Sequence, residues 1–272
     1  MTHAPAAARA LLGSALSVTA LLTTAACVAA DREVPRALPA GVSEPPPPAP
    51  SASASSSSAS SAGERPAPSP PALSEAQLRA ALITETDLGE PWMTSRGAAT
   101  WRDGVLKATT ENPDCRRLLD ALYTEELFGT PSGPRATVTL DDTYNDTQLR
   151  YQVAAHRPAD VDRVLAWLGT LPERCERFEA TTGAGTHLVE VSELSLPEAG
   201  DARAALRVRV TGETGGEATP LTVDVAAVRV GEDVITLTNG GFGEVLPEVT
   251  RAMTRLGADR LTEVARQGRV RV

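Results

Sequence analysis

Apolar positions are spread unevenly along the 272 residues, and their spacing divides the chain into three parts. A short apolar run from Leu11 to Leu22 carries Leu11, Leu12, Leu16, Val18, Leu21 and Leu22, behind a start whose one charge is Arg9. From Val28 to Pro71 the chain is Ala, Pro and Ser, as in "EPPPPAP" and "SASASSSSASSAGERPAPSPP", with hardly a residue able to build a core. From Ala72 onward, apolar residues recur at helical or strand periods.

Within that last part, "SEAQLRAAL" opens with Ser74 and Gln77 at capping-box spacing, and Leu78, Ala81 and Leu82 follow at helical intervals. "TETDLGEPW" reads as a turn ending at Trp92, and "DGVLKATT" as a short strand. "NPDCRRLLDALY" predicts a helix capped by Asn112, with Pro113 at its first position and Leu118, Leu119 and Leu122 on its inner stripe. "RATVTLDD" and "TQLRYQVAA" predict paired strands around "DTYND". In the second, Leu149, Tyr151, Val153 and Ala155 point inward and Arg150, Gln152 and His156 outward. "PADVDRVLAWLGTL" predicts a helix. "ERFEATT", "HLVEVSELSL", "AALRVRVTG", "LTVDVAAVRV" and "DVITLTN" predict strands, the last two joined by the short turn "GE".

In "LTVDVAAVRV" the apolar parity changes between Val225 and Val228, which calls for a bulge or a strand covered on both faces. "LPEVTRAMTRL" and "ADRLTEVARQ" predict two closing helices divided by Gly257, with Gly268 as a stop. Runs of strands with few helices belong to the α+β class. The expected architecture is an antiparallel sheet of about six to seven strands with helices packed mainly on one face.

The first two parts bear on location. The run to Leu22 is about half the ~20 residues that cross a bilayer as a helix. A weakly positive start, a short apolar core and small residues before a break describe a secretory signal. With Thr24, Ala25 and Ala26 ahead of Cys27, it resembles a bacterial lipoprotein signal, cut before a cysteine bearing a diacylglyceryl group. Two acyl chains hold a protein stably at a membrane, at ~0.8 kcal/mol per buried CH2. The expected organisation is a signal peptide over 1–26, a lipidated Cys27 with a disordered tether over 27–71, and a globular domain over 72–272. The tether would reach on the order of 35–40 Å as a coil. An ordinary signal cut near the Ala pair would instead leave Cys27 free.

Charge narrows the partners. The chain has 26 Lys+Arg and 35 Asp+Glu; four of each sign precede Ser74, leaving the domain 22 against 31. That excess of acid argues against nucleic acid as a partner. The sole lysine is Lys107.

With Cys27 assigned to lipid, two cysteines remain in an oxidising compartment. Cys115 falls in the first turn of one predicted helix and Cys175 just past the end of the next. A bridge between them would close a loop of roughly 60 residues, worth ~4 kcal/mol in the chain-entropy model. The alternative is two separate buried thiols. Ligand spacing for a metal site is lacking.

"LRAALITETDLGEPW", "PDCRRLLDAL", "VDRVLAWLGTLPERCERF" and the strand pair "VDVAAVRVGEDVITLT" followed by a helix resemble the extracellular sensor-type domain of mycobacterial receptor Ser/Thr kinases, over Leu73 to about Arg266. Similar free-standing domains occur in actinobacterial lipoproteins. The resemblance implies an antiparallel sheet with helices and a groove for an unknown ligand. Members often carry two disulfides where this chain can make one, and no kinase module accompanies the domain, so signalling would need a partner.

Candidate chemistry is sparse. Nucleophile-elbow, H-E-x-x-H and phosphate-loop motifs are missing from the sequence, so no catalytic residue and no cofactor is expected. "TNGGFGE", "TTGAGTH" and "DDTYNDT" read as loops and turns. His187 shares parity with Val189 and Val191 and is expected in the core, His156 in solvent. Arg203, Arg207 and Arg209 share the outward parity of one strand; with Arg150 nearby they would form a face for an anionic ligand, and otherwise a solvated sheet face. Trp167 is expected in the core and Trp101 nearer the surface. Two functions remain. One is a membrane-anchored, non-catalytic sensor-like lipoprotein binding a small molecule. The other is an adaptor docking to an envelope protein or cell-wall polymer.

Overall fold

The computed structural model describes residues 72–212 and 220–270; the expected signal peptide, the expected lipidation at Cys27 and the expected tether all lie outside the described residues. Eight strands form one antiparallel sheet in the order β1-β2-β3-β8-β7-β6-β5-β4. They are β1 (Trp92–Thr94), β2 (Arg135–Asp142), β3 (Thr147–Ala155), β4 (Arg177–Thr182), β5 (Gly185–Glu193), β6 (Ala202–Gly212), β7 (Leu221–Val230) and β8 (Asp233–Gly241). The helices are α1 (Glu75–Ala80), α2 (Glu85–Leu88), α3 (Pro113–Thr124), α4 (Pro158–Arg174) and α5 (Pro247–Val270), with a π-helical turn at Arg102–Leu106.

The α+β class and the antiparallel sheet are as the sequence pattern predicts, but the sheet has eight strands rather than six to seven. The helices also pack on both faces rather than one. On face A, α3 and α4 bury Leu118, Leu119, Leu122, Val161, Leu165 and Leu168 against Val189, Val208, Val210, Val223 and Val225. On face B, α1 and α5 bury Leu78, Ala81, Met253 and Leu261 against Leu149, Tyr151, Val153, Ala226, Val228 and Leu237.

The parity change in β7 follows from this double coverage. Pairing of β7 with β6 and β8 runs unbroken, so there is no bulge. Leu221, Val223, Val225 and Ala227 serve the face A core, while Ala226 and Val228 serve face B. A strand buried on both sides reads as a near-continuous apolar run.

The local signals hold for α1 and α3. Ser74 and Gln77 make the reciprocal capping box. Asn112 Oδ1 accepts from the backbone N–H groups of Asp114 and Cys115, with Pro113 in the first turn. The Cys115–Cys175 disulfide is formed, with the Cα atoms 5.6 Å apart. It joins the first turn of α3 to the end of α4. Around it Asn112 Nδ2 donates to the Arg174 carbonyl at 3.2 Å, and Asp114 accepts from Trp167 Nε1 and pairs with Arg174.

Several elements differ from expectation. "TETDLGEPW", read as a turn, holds the short helix α2, and strand β1 begins at its Trp92. "DGVLKATT" is no strand: the π-helical turn occupies its first half, and only Thr109 bridges to β4, at Thr181. The two closing helices are one, α5, which runs through Gly257 and Gly268. Both glycines lie inside the helix, where a neighbour packs close to the backbone. A Cβ at Gly257 would lie 2.2 Å from Tyr151 Oη, and one at Gly268 would lie 2.8 Å from Gln77 Nε2.

Arg260 of α5 fastens the entry of the chain to face B. It donates to both carboxylate oxygens of Asp87 at 3.0 and 2.8 Å, and to the Leu82 carbonyl at 2.6 Å. The Arg260 hydrogen bonds hold the Asp87 carboxyl at about 2, against partial burial.

Asp233, at the start of β8, is buried, and that burial, helped by the charge of Glu232, raises its carboxyl to about 6. The folded protein therefore holds this proton more tightly than the unfolded chain. The resulting stabilisation is complete below about pH 4 and is lost as pH rises to about 6. Asp233→Asn should remove that slope from urea-melt stabilities between about pH 4 and 6. It should also stabilise the protein at pH 7 by on the order of 1 kcal/mol.

Candidate functional site

The four arginines that share outward parity in the sequence do not form one surface. Register places Arg203, Arg207 and Arg209 on face B, opposite Val228, Asp224 and Thr222 of β7. Arg150 of β3 pairs with Thr238 and lies on face A. Arg207 is bound to Asp224, which is fully buried: Nε donates to Oδ1 at 2.6 Å and Nη2 to Oδ2 at 2.9 Å. The Asp224 carboxylate raises the guanidinium above its ordinary range, against the cost of partial burial.

Thr250 Oγ1 also donates to Asp224, at 3.0 Å, and Arg207 Nη2 donates to the Val245 carbonyl, at 3.0 Å. This network seats the start of α5 on the sheet. Arg203 pairs with Glu198, and Arg209 is exposed. On face B, then, the three arginines serve separate contacts, and Arg207 belongs to a structural network.

Arg150 belongs to a different constellation. α3 and α4 cover face A over β4 to β7, which leaves the same face of β2, β3 and the end of β8 without a helix above it. Its floor is polar: Thr137 and Thr139 of β2, Gln148, Arg150 and Gln152 of β3, and Thr236 and Thr238 of β8 share one face by register. One wall is the segment from Ser95 to Arg102. It is tied down by Gln148, whose Oε1 accepts from the Ala99 N–H at 3.1 Å and whose Nε2 donates to the Gly97 carbonyl at 3.1 Å.

Trp101 of this wall is half-buried, not a free surface ring, and lies on Gly240: a Cβ there would be 3.1 Å from its indole. A side chain at this rung would press on both the indole and Val223. The opposite wall is the chain from Glu125 to Pro134, held to β3 by Ser132 N–H donating to the Ala155 carbonyl and Ala155 N–H to the Pro134 carbonyl. Phe128 of this wall packs on His156, with ring centroids 5.6 Å apart. His156 is therefore buried rather than solvated, and burial lowers its pKa, with Asp160 opposing. His187 is buried as expected, its Nε2 at 3.0 Å from Thr182 Oγ1.

The walls meet the floor through charge. Glu125 bridges Arg102 and Arg150, its Oε2 2.8 Å from Arg150 Nε. Both terminal nitrogens of Arg150 donate to Gln152 Oε1 at 3.3 Å, which also accepts from Thr137 Oγ1. Burial pushes the Arg150 guanidinium below its ordinary range; Glu125 opposes this, and the positive charges of Arg102 and Arg135 add to it. The groove thus places two arginines on one bridging carboxylate, with a third, Arg135, within electrostatic reach of Arg150. Asp141, on the same face of β2, accepts from Gln148 Nε2 at 2.8 Å.

Other recesses are less specific. A cleft of about 820 Å3 beside β4 is lined by Thr109, Asn112, Arg116, Phe178 and Glu179. Among the described residues no group of His, Cys, Asp and Glu is arranged to hold a metal ion, and no helix is long and apolar enough to cross a membrane.

Sequence reasoning singled out Arg150 and Trp101 but missed Arg102, Glu125 and Arg135. The visible signal was the polar alternation Gln148, Arg150, Gln152; the walls come from distant segments.

No family description matches the chain by sequence, and no curated protein matches it. Among solved structures, it is similar to the extracellular domain of PknH from Mycobacterium tuberculosis. The TM-score is 0.41 and the identity 14%, over 72% of this chain and 97% of that one. It is also similar to the Ran-binding protein Mog1p of Saccharomyces cerevisiae, with a TM-score of 0.24 and 11% identity, over 50% of this chain and 76% of that one. No function is carried across from likenesses at these values.

The network on face B makes its own prediction. Asp224→Ala leaves Arg207 and Thr250 without their acceptor and should cost about 2–4 kcal/mol in urea melts. Arg209→Ala, on the same strand, should stay within about 0.5 kcal/mol of the parent.

Proposed function

We propose that the protein is an extracytoplasmic lipoprotein, anchored through a diacylglyceryl group on Cys27, whose domain binds a ligand in the face A groove without chemistry of its own. The observation that carries this reading is the walled polar floor of β2, β3 and β8. A sheet face left without a helix, yet flanked by two segments that turn polar groups onto it, offers converging polar groups to orient a ligand.

The Cys115–Cys175 bridge fits an oxidising compartment and so accords with an extracytoplasmic location. An adaptor role would rest on the open half of face B, where exposed Leu188 lies among Arg177, Glu190 and Arg209. That surface lacks walls, and the groove is the more specific feature.

Two measurements test the proposal. Cys27→Ala should move the protein from the membrane fraction to the soluble one, and retention at the membrane would overturn the anchor. In mild detergent, a cell-envelope metabolite extract should raise the melting temperature of the full-length protein by about 5 °C near saturation. Thr238→Trp, which fills the groove floor, should abolish the shift. No shift in the parent protein, or an equal shift in the variant, would overturn binding in the groove.

A further inference from the structure

The charge distribution of the groove goes further and names a class of ligand; this step rests on the groove being the binding site. Arg102 and Arg150 lie with Glu125 between them, and their side chains are each only 20% exposed. Arg135, on the rung beside the Gln152 pair, is exposed and within electrostatic reach of Arg150. It has no carboxylate within ion-pair distance among the described residues. The cluster therefore carries more positive than negative charge, and two of its guanidiniums, those of Arg102 and Arg150, are poorly solvated. A half-desolvated guanidinium interacts most strongly with a planar or tetrahedral oxyanion, through charge-assisted, often paired hydrogen bonds.

The position of Glu125 sharpens this. It caps the end of α3 with φ 58, a left-handed conformation that glycine usually supplies at a helix end. A glutamate there is strained by roughly 1 kcal/mol or more. The strained residue is also the one whose carboxylate joins the two walls across the floor. The chain has placed its own carboxylate where an anionic ligand would make its best contacts.

We propose that the groove is a receptor for an oxyanion, a carboxylate or a phosphate group, held by Arg150 and Arg135. Glu125 is the built-in competitor that the ligand displaces from Arg102 and Arg150. Displacement would release the end of α3 from the Trp101–Arg102 wall, so that occupancy of the groove changes how its two walls are joined. No bond is made or broken beyond these ion pairs.

The test uses the full-length protein in mild detergent and titration calorimetry with sodium succinate or sodium phosphate, at ionic strength fixed with sodium chloride. Glu125→Gln should bind at least one of the anions about tenfold more tightly than the parent, and Arg135→Gln about tenfold more weakly. Glu125→Gly, which keeps the left-handed backbone without strain, should behave as Glu125→Gln does. Preference for succinate assigns a carboxylate and preference for phosphate a phosphate group. The proposal is overturned if both Glu125 variants bind neither anion, if they bind no more tightly than the parent, or if Arg135→Gln binds as the parent does. If it falls while the metabolite extract still shifts the parent and not Thr238→Trp, the groove remains a binding site, but for a ligand of other chemistry.

Discussion

The apolar residues on both faces of β7 are the constraint from which the rest of the structure follows. Leu221, Val223, Val225 and Ala227 require one helical layer, and Ala226 and Val228 require another. Neither layer is wide enough to cover all eight strands. α3 and α4 settle over one side of the sheet and α1 and α5 over the other, overlapping at its centre. Each face is therefore left with an uncovered half, at opposite edges. The walled groove is one of them, and the surface around Leu188 is the other.

This diagonal arrangement explains which parts of the molecule the sequence reveals. Signals carried by neighbouring residues are legible: the Ser74–Gln77 box, the Asn112 cap, the β7–β8 turn at Gly231 and Glu232, and a cysteine pair at the ends of two predicted helices. The parity change in "LTVDVAAVRV" also offers double coverage as one of its two explanations, and the unbroken register selects it. Parity alone, however, says only whether a side chain shares a side with its own strand's apolar set. In β3 the principal apolar set faces B, and in β6 it faces A. "Outward" residues of the two strands thus point to opposite sides of the sheet. That is why Arg150 and Arg207 look alike in sequence and are separated in space.

The remaining differences are long-range packing effects. Gly257 reads as a break because glycine is a poor helix former, by about 1 kcal/mol relative to alanine. In the structure it is the one residue type that lets Tyr151 lie beneath α5. His156 continues the polar parity of β3 past its last residue, yet Phe128, from the loop after α3, covers it. Arg102 and Glu125 become site residues only because the π-helical turn and the end of α3 are brought over the same floor. Nothing within either segment announces that meeting.

The two helical layers are secured to the domain by bonds of different kinds. On face A, α3 and α4 share a covalent link, Cys115–Cys175, that ignores pH and salt and yields to thiols. On face B, the opening segment is held to α5 by the Arg260–Asp87 pair, which thiols leave alone. Its contribution is complete above about pH 4 and fades as acidity approaches the Asp87 value of about 2. A reducing environment and an acidic one would therefore loosen the domain from opposite sides. The face that carries the groove is the one whose fastening depends on redox conditions.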